Sequence, residues 1–297
     1  MIKIMADSTC DLSNVVLELY DISLAPLTIN IGGEIYRDRV DIGPDEFYGM
    51  MEDLPEFPTT GMPSPAEYVA IMQQAVKDGY KEIICICMSS GTSGAYQSAE
   101  IAKGYFYEED RDSTVNIHVV DSTCMSHGSG MLVMQSARMR ERGATFDEIV
   151  GFNETYKEKV KHFLSVNDLD HLLKSGRLTN ASAFIGKLLM LKPIMSMKKG
   201  KGAIVGKERG QKKVLKHYVT EFSSRYDREM TEFVIIGYTS EIKIAENLKS
   251  KIQSETDYTG DIYIMQMGVS VGTHVGLGAI SMYFFEKREK KGFFDRE

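Results

Sequence analysis

The sequence predicts an α/β protein of two domains, the first on a mostly parallel sheet and the second on a mixed one. Three observations carry this. In the first half, short apolar runs alternate with helix-length segments, the pattern of strands joined by crossover helices. In the second half, PIMSMKKGKGAIVGKERG breaks the alternation and reads as two antiparallel strands around a Lys/Gly turn. The 297 residues are too many for one small core and comfortable for two. The change of pattern puts the boundary near Lys161, dividing the chain into 1–161 and 162–297 with no flexible linker.

Taken in order, IKIM (Ile2–Met5) is a strand, followed by a helix near Ser13–Tyr20. LAPLTINIGGEIYRD predicts a hairpin turning at Gly32-Gly33. Pro44 opens a short helix over Asp45–Asp53. SPAE (Ser64–Glu67) is a capping box with proline at the first helical position, and its helix stops at Gly79. KEIICICM (Lys81–Met88) is a short apolar strand that runs into SSGTSGAYQSAEIA, where Ala95, Ala99, Ala102 and Phe106 share one helical face. VNIHVV (Val115–Val120) is a strand followed by a serine-rich turn and a helix ending near Gly143. TFDE (Thr145–Glu148) caps the next helix.

Beyond FLSVND, a helical DHLLKSGR precedes a helix over Ala181–Leu191 and then the predicted strand pair. A helix (Gln211–Tyr226), the strand EFVIIGYT, a helix (Glu241–Thr256) and the strand DIYIMQM follow. AISMYFFEKR is a last strand with a frayed charged tail.

Composition excludes several classes of function. A net charge of −7 provides no basic excess to displace counterions from nucleic acid. The longest apolar runs are strand-sized, far below the roughly 20 residues of a transmembrane helix, and MIKIMADSTC lacks a signal-peptide apolar region. A cytoplasmic protein is expected. Cys85 and Cys87 alternate within a strand, and with Cys10 and Cys124 they read as small buried thiols rather than a zinc knuckle. The six histidines have no paired spacing, so no metal site is expected.

Three turn-rich segments carry candidate chemistry: FPTTGMPSPAEY with Thr59 and Thr60, SSGTSGAYQSA with Ser90 and Ser93, and VSVGTHVGLGA with His274 between glycines. Each places hydroxyl or imidazole donors on backbone that glycine makes adaptable. Each also has an ordinary reading, as a helix cap, a helix-start residue or a structural histidine. A nucleophile elbow needs G-x-S-x-G, and Gly91-Thr92-Ser93-Gly94-Ala95 misplaces the second glycine. A phosphate loop needs a lysine after its glycines, and this turn has none. A monoanion such as a carboxylate suits this strand–turn–helix corner better than a triphosphate.

DSTCDL, TTGMPSPAEY, SSGTSGAYQSA, VVDSTCMSHGSG, LLKSGRL, LKPIMSM and GTHVGLGA, in this order, resemble the successive motifs of the DegV family. These are bacterial fatty-acid-binding proteins that serve a fatty-acid kinase, and the resemblance spans essentially the whole chain. It implies two joined α/β domains with a long-chain fatty acid in a tunnel between them. Thr60, Ser93 and His274 correspond to the positions that hold the carboxylate. Arg177 corresponds to an arginine that supports the site or the kinase docking surface, and Lys207 and Arg209 fall in the region that meets the kinase.

The resemblance also implies that the chain catalyses nothing itself, binds no ATP and needs no cofactor. It would present the carboxylate to the kinase, which makes acyl phosphate for phospholipid synthesis. Two departures stand out. T-G-M-P-S replaces the family's frequent T-S-Q-P-S, through Gly61 and Met62, and Leu277 replaces a frequent proline. Two rival readings are a serine esterase using Ser93 and His274, and a regulatory protein that senses lipid.

Overall fold

The computed structural model describes residues 1–167, 169–179 and 191–287. The chain begins with β1 (Ile2–Asp7), α1 (Asn14–Leu19), β2 (Ile22–Ala25), β3 (Thr28–Ile31), β4 (Glu34–Arg37), α2 (Pro44–Met50) and β5 (Thr59–Gly61). It continues with α3 (Pro65–Lys77), β6 (Glu82–Cys87), α4 (Ala95–Glu109), β7 (Asn116–Asp121), α5 (His127–Glu141) and α6 (Phe146–Tyr156). The second half contains β8 (Val160–Ser165), α7 (Asp170–Ser175), β9 (Leu191–Lys198), β10 (Lys201–Arg209) and α8 (Gln211–Arg225). It closes with β11 (Phe233–Tyr238), α9 (Ile242–Glu255), β12 (Asp261–Gln266), α10 (Val269–Val275) and β13 (Ile280–Phe285).

The first sheet is parallel throughout, in the order β2-β1-β6-β7. Every residue of β1 is buried, because helices cover both faces of a parallel sheet. On one face Met5, Ile83 and Cys85 pack against Tyr68 and Met72 of α3 and against Ala99, Ala102 and Phe106 of α4. The alanine stripe of α4 is what lets that helix lie close. The second sheet is mixed, in the order β10-β9-β8-β13-β11-β12, with only β11 and β12 parallel. Its outer face carries α8 and α9 through Tyr218, Phe222, Leu248 and Ile252.

Between the two sheets lies α5, buried from His127 to Ala137. Its Met131, Leu132 and Met134 share one core with Ile4 and Ile84 of the parallel sheet and with Ile235, Tyr283 and Phe285 of the mixed sheet. A smaller sheet, β4-β3-β5, sits with α2 beside the seam.

Most elements stand where the sequence puts them, including the two capping boxes at Ser64 and Thr145 and the Gly32-Gly33 turn, where both glycines have positive φ. Four elements were not expected as they stand: Ile22–Ala25 forms β2; Val160–Ser165 forms β8, which takes in the first three residues of FLSVND; Thr59–Gly61 is a strand; and the segment around His274, expected as a glycine-rich turn, is the helix α10. The helix expected over Ala181–Leu191 lies outside the described residues apart from Leu191, which begins β9, and the charged tail beyond 287 lies outside them as well. All four cysteines are buried and free. Among the described residues, no helix is long and apolar enough to cross a membrane, and no group of three or more His, Cys, Asp or Glu is placed to hold a metal ion.

Candidate functional site

Strand β5 exists because it pairs with β3, Ile29 facing Thr60 in the register, and this holds the Thr60 hydroxyl against α10. Thr60 Oγ1 and His274 Nε2 are 2.9 Å apart. Helix α10 is anchored at both ends. At its start the Gly268 amide donates to Asp11 Oδ1 at 2.8 Å, and Val269 packs into the Ile29, Ile42 and Phe47 cluster. At its end Gly276 takes φ +72, where a Cβ would also sit 2.9 Å from the His171 ring. His171 Nδ1 lies 2.9 Å from the Thr273 carbonyl and donates to it. His274 is therefore fixed in the last turn of a clamped helix.

Burial is the largest cause that depresses the His274 pKa, to about 4, with the nearby Arg177 guanidinium and His171 adding to it. The imidazole is neutral at neutral pH. Among the described residues its Nδ1 has no hydrogen-bond partner.

Ser93 occupies the turn between β6 and α4. Its Oγ accepts from the Ala95 amide at 3.2 Å, so the hydroxyl proton stays free to donate. The other serines of this turn are committed elsewhere: Ser90 Oγ and amide both donate to Asp121, and Ser89 Oγ donates to the Gly200 carbonyl at 2.6 Å. Thr60, Ser93, His274 and Arg177 all line one cavity of about 210 Å³, with Met62, Met88 and Met125 among its apolar walls. Arg177 follows Gly176, the left-handed residue that ends α7, and donates to the Ser175 carbonyl. Lys207 and Arg209 do not line this cavity; both are exposed on β10.

Sequence reasoning missed a buried acidic group behind the site. Asp7 accepts from the Met88 amide at 2.7 Å and the Thr9 amide at 3.1 Å, tying β1 to the end of β6. Asp11 also accepts from Ser126 Oγ at 2.6 Å, and Asp38 accepts from Ser8 Oγ at 2.8 Å. Burial first, then the neighbouring carboxylate, raises Asp11 to about 8; burial raises Asp38 to about 6, against the pull of Ser8, Arg39 and the Ser270 and Val269 amides. The only signal for Asp7 and Asp11 was the DSTCDL motif. Asp38 ends the predicted hairpin segment LAPLTINIGGEIYRD and lies in none of the motifs.

The arrangement offers an anion two hydroxyls, one of them paired with a neutral imidazole, and a guanidinium, in a cavity with several apolar side chains on its walls. It does not assemble a nucleophile relay. His274 Nε2 is engaged by Thr60, and among the described residues no carboxylate orients its Nδ1.

Comparison with known proteins agrees over the full length. The family model described as "Uncharacterised protein, DegV family" matches residues 1–287. A DegV domain-containing protein of Clostridium acetobutylicum is 36% identical over 287 residues, 96% of this chain and 99% of that one. Among solved structures, a DegV family protein from Thermus thermophilus described by its fatty-acid binding is 26% identical, with a TM-score of 0.86 over 96% of this chain and 99% of that one. A stearic-acid-binding protein from Eubacterium ventriosum is 30% identical, with a TM-score of 0.84 over 97% and 99%. The thirteen strands of the described residues and the cavity lie within the span that the family model matches, and the chain belongs to the DegV family.

Proposed function

We propose that this protein binds a long-chain fatty acid and presents its carboxylate to a separate ATP-dependent fatty-acid kinase, which forms the acyl phosphate. The observation that carries the reading is the Thr60–His274 hydrogen bond in a cavity that Leu27, Met62, Met88, Met125, Leu172 and Val271 also line. Relatives of the same fold that bind fatty acids support it. With the proton on Nε2, His274 donates to Thr60 Oγ1, and Thr60 donates its own proton to the ligand. Ser93 supplies the second hydroxyl, and Arg177 supplies the positive charge that the neutral imidazole lacks.

The magnitudes fit a carrier. Burying about 14 methylenes at roughly 0.8 kcal/mol each gives on the order of 11 kcal/mol gross. Association and chain ordering cancel much of it. A carboxylate drawn in with the tail is costly unless hydrogen-bonded, and charge-assisted bonds from these donors offset that cost. The chain itself contributes binding and orientation, holding a carboxylate oxygen where a phosphoryl group can be brought in line. The exposed Lys207 and Arg209 belong to the kinase-facing surface.

Mass spectrometry of organic extracts from purified protein tests the ligand, and acyl-phosphate formation with the kinase and ATP tests the partner. The expected results are a co-purifying fatty acid and kinase turnover that depends on this protein. No extracted lipid, together with no uptake of added oleate or palmitate, would overturn the reading.

A further inference from the structure

Beside the cavity at Thr60 and His274 lies a second, smaller chamber of about 40 Å³. The two share Met125, Leu172, Arg177, Val271 and Val275 and are therefore adjacent. On its far side the inner chamber shares three residues, His162, Ser196 and Met197, with a separate cleft of about 480 Å³. That cleft is charged. Lys157, Glu158, Lys161 and Glu286 are on its walls, with Lys161 Nζ 3.9 Å from Glu286. A partition of three side chains thus separates an apolar chamber from a polar one.

Two of the three are immobile. His162 is buried, with Nδ1 2.9 Å from the Val160 carbonyl and Nε2 accepting from the Met125 amide at 3.4 Å. Its ring stands edge-on to Tyr283 at 5.2 Å, and Gly128 is so close that a Cβ there would lie 2.0 Å from Nε2. Ser196 is small and buried. Met197 differs. It is half-buried, and it lies opposite Gly202 in the β9–β10 register, so β10 places no side chain across from it. It follows Met195 on the same face of the strand, and both line the inner chamber. An unbranched thioether in that position is adaptable.

We infer that Met197, set against the fixed His162, is the end wall of the acyl-chain tunnel and determines the longest chain the protein retains. The inference rests on the proposed fatty-acid ligand. A methylene inside the chamber is removed from water, whereas one pushed past Met197 emerges among ammonium and carboxylate groups and gains nothing. Retention therefore rises by about fourfold for each methylene up to this wall and then stops rising.

The test uses full-length protein stripped of lipid and offered an equimolar ladder of saturated acids from laurate to arachidate, with the bound fraction read by mass spectrometry. Wild type should show a break in the ladder. Met197→Ala should move the break to longer chains, Met197→Phe to shorter ones, and Met197→Leu, close to the native volume, should leave it in place. Thermal melting verifies that each variant is folded. A break at the same chain length in all four proteins would overturn the inference while leaving the fatty-acid reading intact. Binding of no acid by wild type would overturn both.

Discussion

Thr60, Ser93 and His274 meet the carboxylate in different ways in the proposed complex, and their substitutions should separate. Thr60→Ala with Ser93→Ala removes two hydroxyl donors, each a charge-assisted bond of roughly 1.5–3 kcal/mol, with non-additivity expected for neighbours. The double variant should lose lipid on dilution markedly faster than wild type. Retention and kinase turnover equal to wild type would place the carboxylate elsewhere. His274→Ala should behave otherwise. Tail burial outweighs any single head-group bond, so the variant should keep most of its lipid, yet support much slower acyl-phosphate formation because the carboxylate is no longer oriented. The paired measurement is lipid occupancy and turnover on one preparation, and normal turnover at full occupancy would remove His274 from the site.

At the scale of elements, α10 shows what sequence could and could not supply. The α3 and α6 starts were legible because a capping box satisfies helix amides locally, within four residues. Helix α10 carries Val269, Val271, Thr273 and Val275 around Gly272, a run of poor helix formers that reads as loop. Contacts from distant sequence hold it: Asp11 at its first amide, His171 at its last turn, and Tyr48, whose hydroxyl donates to the Met267 carbonyl at 2.9 Å just before the helix. Strand β5 was illegible for a similar reason, since three residues become a strand only by pairing with β3. Thr60, Ser93 and His274 could be picked out as hydroxyls and an imidazole on or beside glycine-containing turns, whereas Arg177 came only from the family resemblance. Asp38 and Tyr48 could not, because nothing local marks a carboxylate or a phenol that a remote helix will bury.

The Asp11 anchor has a pH signature. Its carboxyl is raised from 3.8 to about 8 in the folded protein, so the unfolded chain releases this proton at lower pH than the folded one. Asp11 therefore costs nothing below about pH 4, destabilises progressively as pH rises toward 8, and reaches a constant penalty above it. Asp11→Asn keeps an acceptor for the Gly268 amide and abolishes the titration. The stability of the variant relative to wild type should grow with pH by up to about 1.4 kcal/mol per unit across that window and level off above it. Urea unfolding at a series of pH values reads this, and a flat difference would show that Asp11 is not a buried, protonated anchor.

For the whole molecule, the cavity lies where loops of the parallel sheet meet α10 and α7 of the second half, so a ligand there bridges both. Helix α5 already gives the two sheets a common core, and the acyl chain of the proposed complex would add to it only in the folded state. Delipidated protein should melt at lower temperature than loaded protein, and added oleate should restore the difference, with about 2.7 kcal/mol expected at a hundredfold excess over Kd. Restoration should occur in a single transition, with both sheets melting together.

In the proposed complex a fatty-acid carboxylate sits between Thr60, Ser93 and His274. The NMR signal of palmitate labelled with carbon-13 at its carboxyl, bound to wild type, Thr60→Ala, His274→Ala and the surface control Lys207→Ala, reports on that placement. One bound carboxyl resonance is expected, distinct from free palmitate, that moves in Thr60→Ala and in His274→Ala and stays fixed in Lys207→Ala. A bound resonance identical in all four proteins would place the carboxylate elsewhere.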